Sequence, residues 1–333
     1  MGEGSDEPAP RLGGVVVHWR DEEGLARLLG AWPRGYPLVV VDNSRDLEPA
    51  AGGGLENVEI HRPEVNLGFG GGVNRGALRL TRRAPTCRFL LILNPDAAPV
   101  DDAVEALERA CFEAASEDPA CAGLAPALLS PDGSRQFRWQ LQPLPTASTL
   151  LAQVFFAGGA RGPRTEPPPG ARCEQPAAAV LALDLERLGA LRPLFDDGFY
   201  PAWFDDVDLA KRVAGRRLHF RYAPVAQFHH AQGGSVPALG YGRFLWIYYR
   251  NLLRYLRKHH GAGAAALARV LLPISMGLRL LLLPLRSPRR ATSRVDAARG
   301  LLAVLVGAAG GWRRPRAWAE RFRQPETGQG DRG

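Results

Sequence analysis

Residues 90–99 read LLILNPDAAP, and this stretch decides the fold. Four apolar residues in a row behind Phe89 predict a strand buried on both faces, the kind found inside a mostly parallel sheet. Pro95 ends the ladder and leaves Asp96 just past the carboxyl end of the strand, where open α/β sheets bind their ligands. A carboxylate there suits a divalent metal and the phosphates it carries. A turn that only closes the strand is an equal alternative on this stretch alone.

The flanking sequence repeats the pattern. Residues 13–19 (GGVVVHW) predict a strand, 21–32 a helix with Leu25, Leu28 and Leu29 on one face, and 36–41 (YPLVVV) a second buried strand ending in Asp42-Asn43-Ser44. Strand, helix, strand is a βαβ unit. A third, shorter strand is expected at 58–61. Residues 66–76 (NLGFGGGVNRG) read as a Gly-rich loop leading into a helix over 73–80. Such glycines let a backbone approach a phosphate or a base. The spacing is neither a dinucleotide fingerprint nor a P-loop.

Further on, a helix is expected over 101–116, strands over 122–129 and 177–183, and a short helix near 184–191. Residues 157–176, rich in Gly and Pro, read as a mobile surface loop that orders over a substrate. Residues 199–209 (FYPAWFDDVDL) place Asp205, Asp206 and Asp208 at the opening of a helix. Capping needs only one of them. Three carboxylates in four positions repel one another unless a positive group is near, and beside Trp203 and Phe204 one of them with a raised pKa suits a proton acceptor. An alternating strand over 217–224 is followed by His229-His230-Ala-Gln-Gly-Gly-Ser235, which offers one metal ligand or phosphate contact. A loop histidine is more often neither, and no HxH or HExxH pattern supports zinc.

The charge is unevenly distributed. The 333 residues carry a net charge of +8, but residues 1–242 hold 24 basic and 30 acidic side chains, and residues 243–333 hold 18 and 4. A mildly acidic body with a basic, apolar tail points to an anionic membrane surface rather than to nucleic acid. Residues 241–260 predict an amphipathic helix, basic on one side and aromatic on the other. Residues 264–285 are mostly apolar, but Arg269, Pro273 and Arg279 interrupt them. A central Arg costs ~2.5–3.5 kcal/mol on insertion, so helices lying in the interface or packed on the body are preferred to a membrane span. A helical subdomain stabilising the body, or a dimer contact, is the plainer alternative. The four cysteines form no metal-binding spacing, and without a signal peptide at the N-terminus they are expected to be reduced in a cytoplasmic protein.

Six of these pieces, in this order, resemble the family 2 glycosyltransferases, in particular the bacterial rhamnosyltransferase-like branch. They are GVVVHW, VVVDNS (39–44), NLGFGGGVNRG (66–76), LLILNPDAAP (90–99), FDDVDLAKR (204–212) and HHAQGGS (229–235), and YYRNLLRYLRKHH (248–260) is similar to that branch's Arg-Asn-containing helix. The resemblance spans roughly residues 13–260. It implies a GT-A type fold, a mixed, mostly parallel sheet flanked by helices. Residues 11–100 would be the nucleotide-sugar-binding half and 101–242 the acceptor and catalytic half of one domain. A basic amphipathic helical extension over 243–323 would follow, with disordered ends at 1–10 and 324–333.

The implied reaction is inverting transfer of a sugar, rhamnose by the branch, from a dTDP- or UDP-sugar to a hydroxyl of a glycan or lipid-linked acceptor. It would run at the cytoplasmic face of the cell membrane, on an anionic surface met through 243–323, with no nucleic acid involved. Asp42 would hold the donor's base or ribose, with His18 and Asn43 lining the same pocket. Gly70 and Asn74 would approach the nucleotide. Asp96 would bind a divalent metal, Mg2+ or Mn2+, through the diphosphate, and His230 would approach that metal. Asp206 would be the general base, with Asp205 and Asp208 supporting it.

The chain departs from the family where Glu-Asp is commonly found and Asp205-Asp206 stand here. It departs again where Gly-Ala is common and Ala178-Ala179 stand, and where an Arg is expected and Asp184 stands. These departures touch the acceptor side. A sugar nucleotidyltransferase would carry a basic Gly-rich loop after the first strand, which GVVVHWRDEEG lacks. A catalytically degenerate membrane-associated binding protein on the same scaffold is the remaining alternative, and intact Asp42, Asp96 and Asp206 weigh against it.

Overall fold

The computed structural model describes residues 10–47, 56–155, 162–231, 239–285, 288 and 291–312. The expected disordered N-terminus up to residue 9, the start of the 157–176 loop, residues 232–235 of the histidine motif and everything after 312 lie outside them.

The N-terminal half is built on β1 (Leu12–His18), α1 (Glu22–Ala31), β2 (Leu38–Asp42), β3 (Val58–His61), α2 (Gly68–Arg83) and β4 (Phe89–Leu93). Every residue of β1, β2 and β4 is buried, as their unbroken apolar runs require. The chain continues through β5 (Ala97–Pro99), α3 (Ala103–Glu117), β6 (Cys121–Leu129), α4 (Phe137–Gln140), β7 (Leu141–Gln142), α5 (Ala147–Phe155), β8 (Arg172–Cys173), β9 (Gln175–Pro176), β10 (Val180–Asp184), α6 (Asp205–Gly215), β11 (His219–His230), α7 (Tyr241–Leu282) and α8 (Arg294–Ala309).

The main sheet runs β3-β2-β1-β4-β10-β6-β11-β5, with β8 also paired to β11. Its pairs are parallel from β3 through β4 and between β6 and β11; β10 lies antiparallel between β4 and β6, and β5 and β8 antiparallel to β11. The chain steps outward from β1 to β3, then returns to the other side of β1 for β4. That reversal opens a crevice beyond the carboxyl ends of β1, β2 and β4, the usual ligand position in such sheets.

Side chains alternate across the sheet with a period of two. Leu91 and Leu93 join Leu25, Leu28 and Leu107 on the face covered by α1 and α3. Leu90 and Ile92 join Val73, Leu80 and Leu209 on the face covered by α2 and α6. Each fully buried Leu or Ile contributes roughly 1.5–3 kcal/mol. A third apolar cluster, with Val154, Phe204, Tyr255, Leu272 and Leu301, joins α5, α7 and α8.

Four expectations are corrected. The Gly-rich segment is not a loop: α2 begins at Gly68, because its glycines let the helix lie close against β1 and against the chain before α6. Residues 185–190 form turns rather than a helix. The described part of the 157–176 segment is pinned by strand pairing, β8 to β11 and β9 to β7. The His pair is not in a loop after a strand but forms the last two residues of β11.

The helix α7 is two helices. Gly261, at φ 88° and ψ 168°, breaks it into a first arm, residues 241–260, and a second arm, residues 262–282. Both arms reach α5, with Tyr248 donating to Gln153 and Ser275 to the Val154 carbonyl, and Arg279 of the second arm reaches Tyr249 of the first. These contacts fold the arms back on one another.

Candidate active site

The crevice has three groups of polar residues. The first is set by the pairing of β5 with β11, which places Ala97 opposite His230. Asp96, just before β5, accepts at its carbonyl from the Ala231 amide at 3.3 Å. Its Oδ1 therefore lies 3.6 Å from His230 Nε2. The histidine tautomer follows from its neighbour Gln136. The Gln136 Nε2 donates to the His230 carbonyl at 2.7 Å, so its Oε1 must face His230 Nδ1 at 2.9 Å, and Nδ1 must carry the proton. Trp139 stacks on the ring at 5.3 Å and holds its orientation.

The Nε2 lone pair thus points at a carboxylate. Burial pushes the His230 pKa down, which keeps the ring neutral although Asp96 opposes the shift. Burial also pushes Asp96 up, with His230 opposing. Two acceptors facing one another across 3.6 Å are satisfied by a cation or a proton between them. An imidazole with its far nitrogen fixed by a hydrogen bond, beside a carboxylate, is a fitting pair for a divalent metal.

The second group is the aspartate segment. Just before α6, Trp203 and Phe204 both adopt left-handed backbone, at φ 68° and 69°. For bulky side chains this is strained, on the order of 1–3 kcal/mol each, and must be held by its surroundings. The first arm of α7 holds it. Asn251, fully buried, donates from Nδ2 to the carbonyls of Phe199, Ala202 and Trp203 at 2.6, 2.8 and 3.2 Å. Arg250 donates to the Gly198 and Tyr200 carbonyls.

The three aspartates of this segment differ in surroundings. Asp206 is half-buried; its carboxylate accepts from its neighbour's amide, Val207, at 2.8 Å, and from the amide of Ala178. Burial pushes its pKa up, and those two amides together with its own offset part of the rise. Asp205 is buried with no partner on Oδ2 among the described residues, and its pKa stands well above the ordinary range because of burial and then the Asp206 charge beside it. Asp208, with no exposed side-chain surface, pairs with Arg212 at 2.8 Å, Lys258 at 2.6 Å and His259 at 2.7 Å. Burial alone would raise its pKa; His259, Lys258 and Arg212 hold it below the usual range. Lys258 and Arg254 also clamp Asp196, at 2.7 and 3.0 Å.

The third group lies at the ends of β1 and β2. Asp42, fully buried, accepts at Oδ1 from the amides of Ser44 and Arg45 and at Oδ2 from Leu47, with Arg62 at 3.6 Å. His18 Nε2 bonds Asp46 at 3.0 Å, and its Nδ1 is buried without a partner among the described residues. These three residues, His18, Asp42 and Asp46, lie close enough to share a metal ion. The direct His–Asp bond and the Arg62 charge already satisfy part of that set. Asn43 ties β2 to the start of α2, donating to the Gly68 carbonyl and accepting from the Leu67 amide, each at 3.0 Å.

Gly70 and Asn74 are used by the protein itself. A Cβ at Gly70 would lie 2.8 Å from Asp205 Oδ1 and 2.9 Å from Phe195 Cβ, so only glycine lets α2 pack there. Asn74 brackets Phe195, donating to its carbonyl at 2.8 Å and accepting from its amide at 3.0 Å. Both residues hold the 195–205 segment against α2.

The structure therefore brings Asp96 and His230 together directly. It links the Asp96 loop to Asp206 through the short run Ala178-Ala179, since Asn94 donates to the Ala179 carbonyl at 2.7 Å and Ala178 donates to Asp206. Asp208 faces α7 instead. Sequence reasoning passed over Gln136, Asp196, Lys258, His259 and Gln175, whose Nε2 donates to Asp206 Oδ2 at 3.4 Å, and took Asn251 only as a family landmark. The one available signal was a lone amide among Tyr248, Tyr249, Leu252 and Leu253 in an apolar helix.

No family model matches this chain, and no curated protein does. Among solved structures it is similar to GalNAc-T7 with UDP, GalNAc and Mn2+, at TM-score 0.49 and 15% identity over 76% of this chain; it spans about half, 51%, of that protein's chain. It is similar to the mannosyltransferase PcManGT of Pyrobaculum calidifontis in complex with GDP-Man and Mn2+, at 0.47 and 15% over 92% of this chain and 89% of that one. It is also similar to residues 1–349 of TarS from S. aureus, at 0.46 and 11% over 94% and 89%. The architecture rests on the chain's own strand order, a mixed α/β fold with a mostly parallel sheet flanked by helices and a C-terminal helical layer.

Proposed function

We propose that this chain is an inverting sugar transferase that takes its sugar from a dTDP- or UDP-linked donor and passes it to a hydroxyl of a glycan or lipid-linked acceptor at the cytoplasmic face of the cell membrane. The observation that carries the reading is the opposed Asp96 and His230 pair in the switch-point crevice, joined through Ala178-Ala179 to a half-buried aspartate. Asp96 and His230 would hold a divalent ion, Mg2+ or Mn2+, whose charge offsets that building on a leaving diphosphate. The ends of β1 and β2, with His18, Asp42 and Asn43, would receive the nucleoside.

Asp206 takes the proton of the acceptor hydroxyl. The acceptor oxygen bonds to the anomeric carbon from the face opposite the departing diphosphate, and the carbon–diphosphate bond breaks. A raised Asp206 pKa makes its carboxylate a stronger base than a solvated one. Asp206 is half-buried and reachable, whereas Asp205 is enclosed and Asp208 is neutralised by Arg212 and Lys258 and hydrogen-bonded to His259. The likeness to the rhamnosyltransferase branch supports rhamnose as the sugar.

The test is release of nucleoside diphosphate from a panel of dTDP- and UDP-sugars with Mn2+ or Mg2+ and bacterial envelope lipid extract as acceptor. One donor should be consumed, and Asp206→Asn should slow it by about 10²–10⁴ without lowering the melting temperature. Equal release by wild type and Asp206→Asn on every donor would leave a degenerate binding scaffold as the account.

A further inference from the structure

The second arm of α7 has one buried face and one exposed apolar face. Ala268, Leu272, Ser275 and Met276 are buried. On the other side Leu267, Val270, Ile274, Leu278 and Leu281 are 48, 63, 52, 48 and 76% exposed. Their spacing of three or four residues puts them on one helical face. The most apolar 18-residue window of α7 is only 22% buried, unlike the core helix of a globular protein. The same holds for α8, where Val295, Leu302 and Val306 are 59, 49 and 70% exposed at helical spacing. Monomeric proteins rarely leave continuous apolar surface beyond a few hundred Å² without a use for it.

The charges around this surface select its occupant. Among the described residues of these two helices from 262 on, three exposed arginines, Arg269, Arg294 and Arg299, stand against one acidic residue, Asp296. Arg294 and Arg299 are exposed beside Val295 and Leu302 on α8, and Arg269 beside Val270 on α7. A second copy of this chain would set arginines against arginines. An anionic lipid surface receives both parts at once, with the apolar side chains entering the acyl boundary and the arginines reaching the headgroups. Ser275 and Arg279 tie the arm to the Val154 carbonyl and its inner face is buried, which favours docking over a membrane span.

We propose that the outer faces of the second arm of α7 and of α8 dock the protein on an anionic phospholipid bilayer. The docking residues are then not the basic and aromatic ones of 241–260. Sugar transfer is needed only for the further step, that a lipid-linked acceptor is met there; docking itself stands apart from it.

The experiment uses the full chain and vesicles of phosphatidylcholine with or without phosphatidylglycerol, read by co-sedimentation at low and high salt. Wild type should pellet with the anionic vesicles and bind pure phosphatidylcholine at least tenfold more weakly. Leu278→Asp/Leu281→Asp, at two exposed positions, should lose at least tenfold of the binding with an unchanged melting curve. A second variant, Arg294→Gln/Arg299→Gln, leaves the apolar face intact and should lose binding at low salt most. Equal sedimentation of wild type and both variants overturns the proposal. So does a concentration-dependent wild-type dimer that the leucine variant abolishes while vesicle binding is untouched. Donor nucleotide binding, measured on the same variants, should not change, so a failed transferase reading and a failed docking surface give different results.

Discussion

The two arms of α7 look alike in sequence, each apolar with scattered arginines, yet they face opposite ways. The first arm buries Trp246, Tyr249, Leu252, Tyr255 and Leu256 in the body and aims Arg250, Asn251, Arg254, Lys258 and His259 at the segment before and within α6. The second arm turns much of its apolar surface outward. Amphipathic pattern alone does not say which side of a helix meets the protein. What separates the arms is whether the polar side chains find fixed partners. Carbonyls at 199, 202 and 203 and carboxylates at 196 and 208 are waiting for the first arm. The second arm makes its few polar contacts at Val154, Phe155 and Tyr249 and leaves its outer face without one among the described residues.

The sharpest way to break this contrast is to cut the first arm loose. Asp208→Ala strands Lys258, His259 and Arg212 around a buried void and should cost about 3–5 kcal/mol in urea unfolding. The same network sets an acid limit. The folded pKa of Asp208 lies below its unfolded value, so its contribution is full above about pH 4 and is lost as pH falls through the folded value. Asp208→Asn should flatten that part of the stability curve. A wild-type-like curve for either variant would show that the clamp is not holding the arm.

Asn251→Ala should come next, at about 2–3 kcal/mol, because three buried carbonyls lose their donor. The variant should also lower turnover, by about 10²-fold, with donor affinity unchanged, since the left-handed turn at Trp203 and Phe204 relaxes and moves Asp206. A matching loss in donor affinity would mean the turn serves the nucleotide instead.

Asp205→Asn should act in the opposite direction. Its folded pKa is raised, so the group weakens the fold at neutral pH, and the penalty fades as pH falls from that raised value toward the ordinary carboxylate range. The variant should melt above wild type at pH 7, by less at pH 5, and transfer sugar more slowly. The smallest effect belongs to the second arm. Leu278→Asp/Leu281→Asp should change stability by no more than about 0.5 kcal/mol, because these side chains touch little of the protein. A large loss would show that the exposed face is covered in solution.

Much of the sheet could be read from the chain, for a physical reason. Runs such as VVV at 39–41 and LLIL at 90–93 have no polar residue to point at water and so must lie inside. The same property hid the direction of β10, which is equally apolar but runs antiparallel between β4 and β6. The start of α2 was misread because four glycines in five positions argue against a helix, and only the close approach to Phe195, Asp205 and β1 makes one favourable. Asp96 and the aspartate cluster stood out as carboxylates at strand and helix ends. Gln136, Asn251 and Lys258 did not, because their roles depend on partners 94, 52 and 62 residues away in the chain.

The central claim is that Asp96 and His230 form a metal-dependent nucleotide site in the crevice, and calorimetric titration tests it most directly. The titrants are dTDP and UDP, with and without Mn2+, on wild type and Asp96→Ala. The account predicts that one nucleotide binds wild type only when the metal is present, and that Asp96→Ala, still folded, loses this binding. Binding that is the same with and without metal, and unchanged in Asp96→Ala, would contradict it.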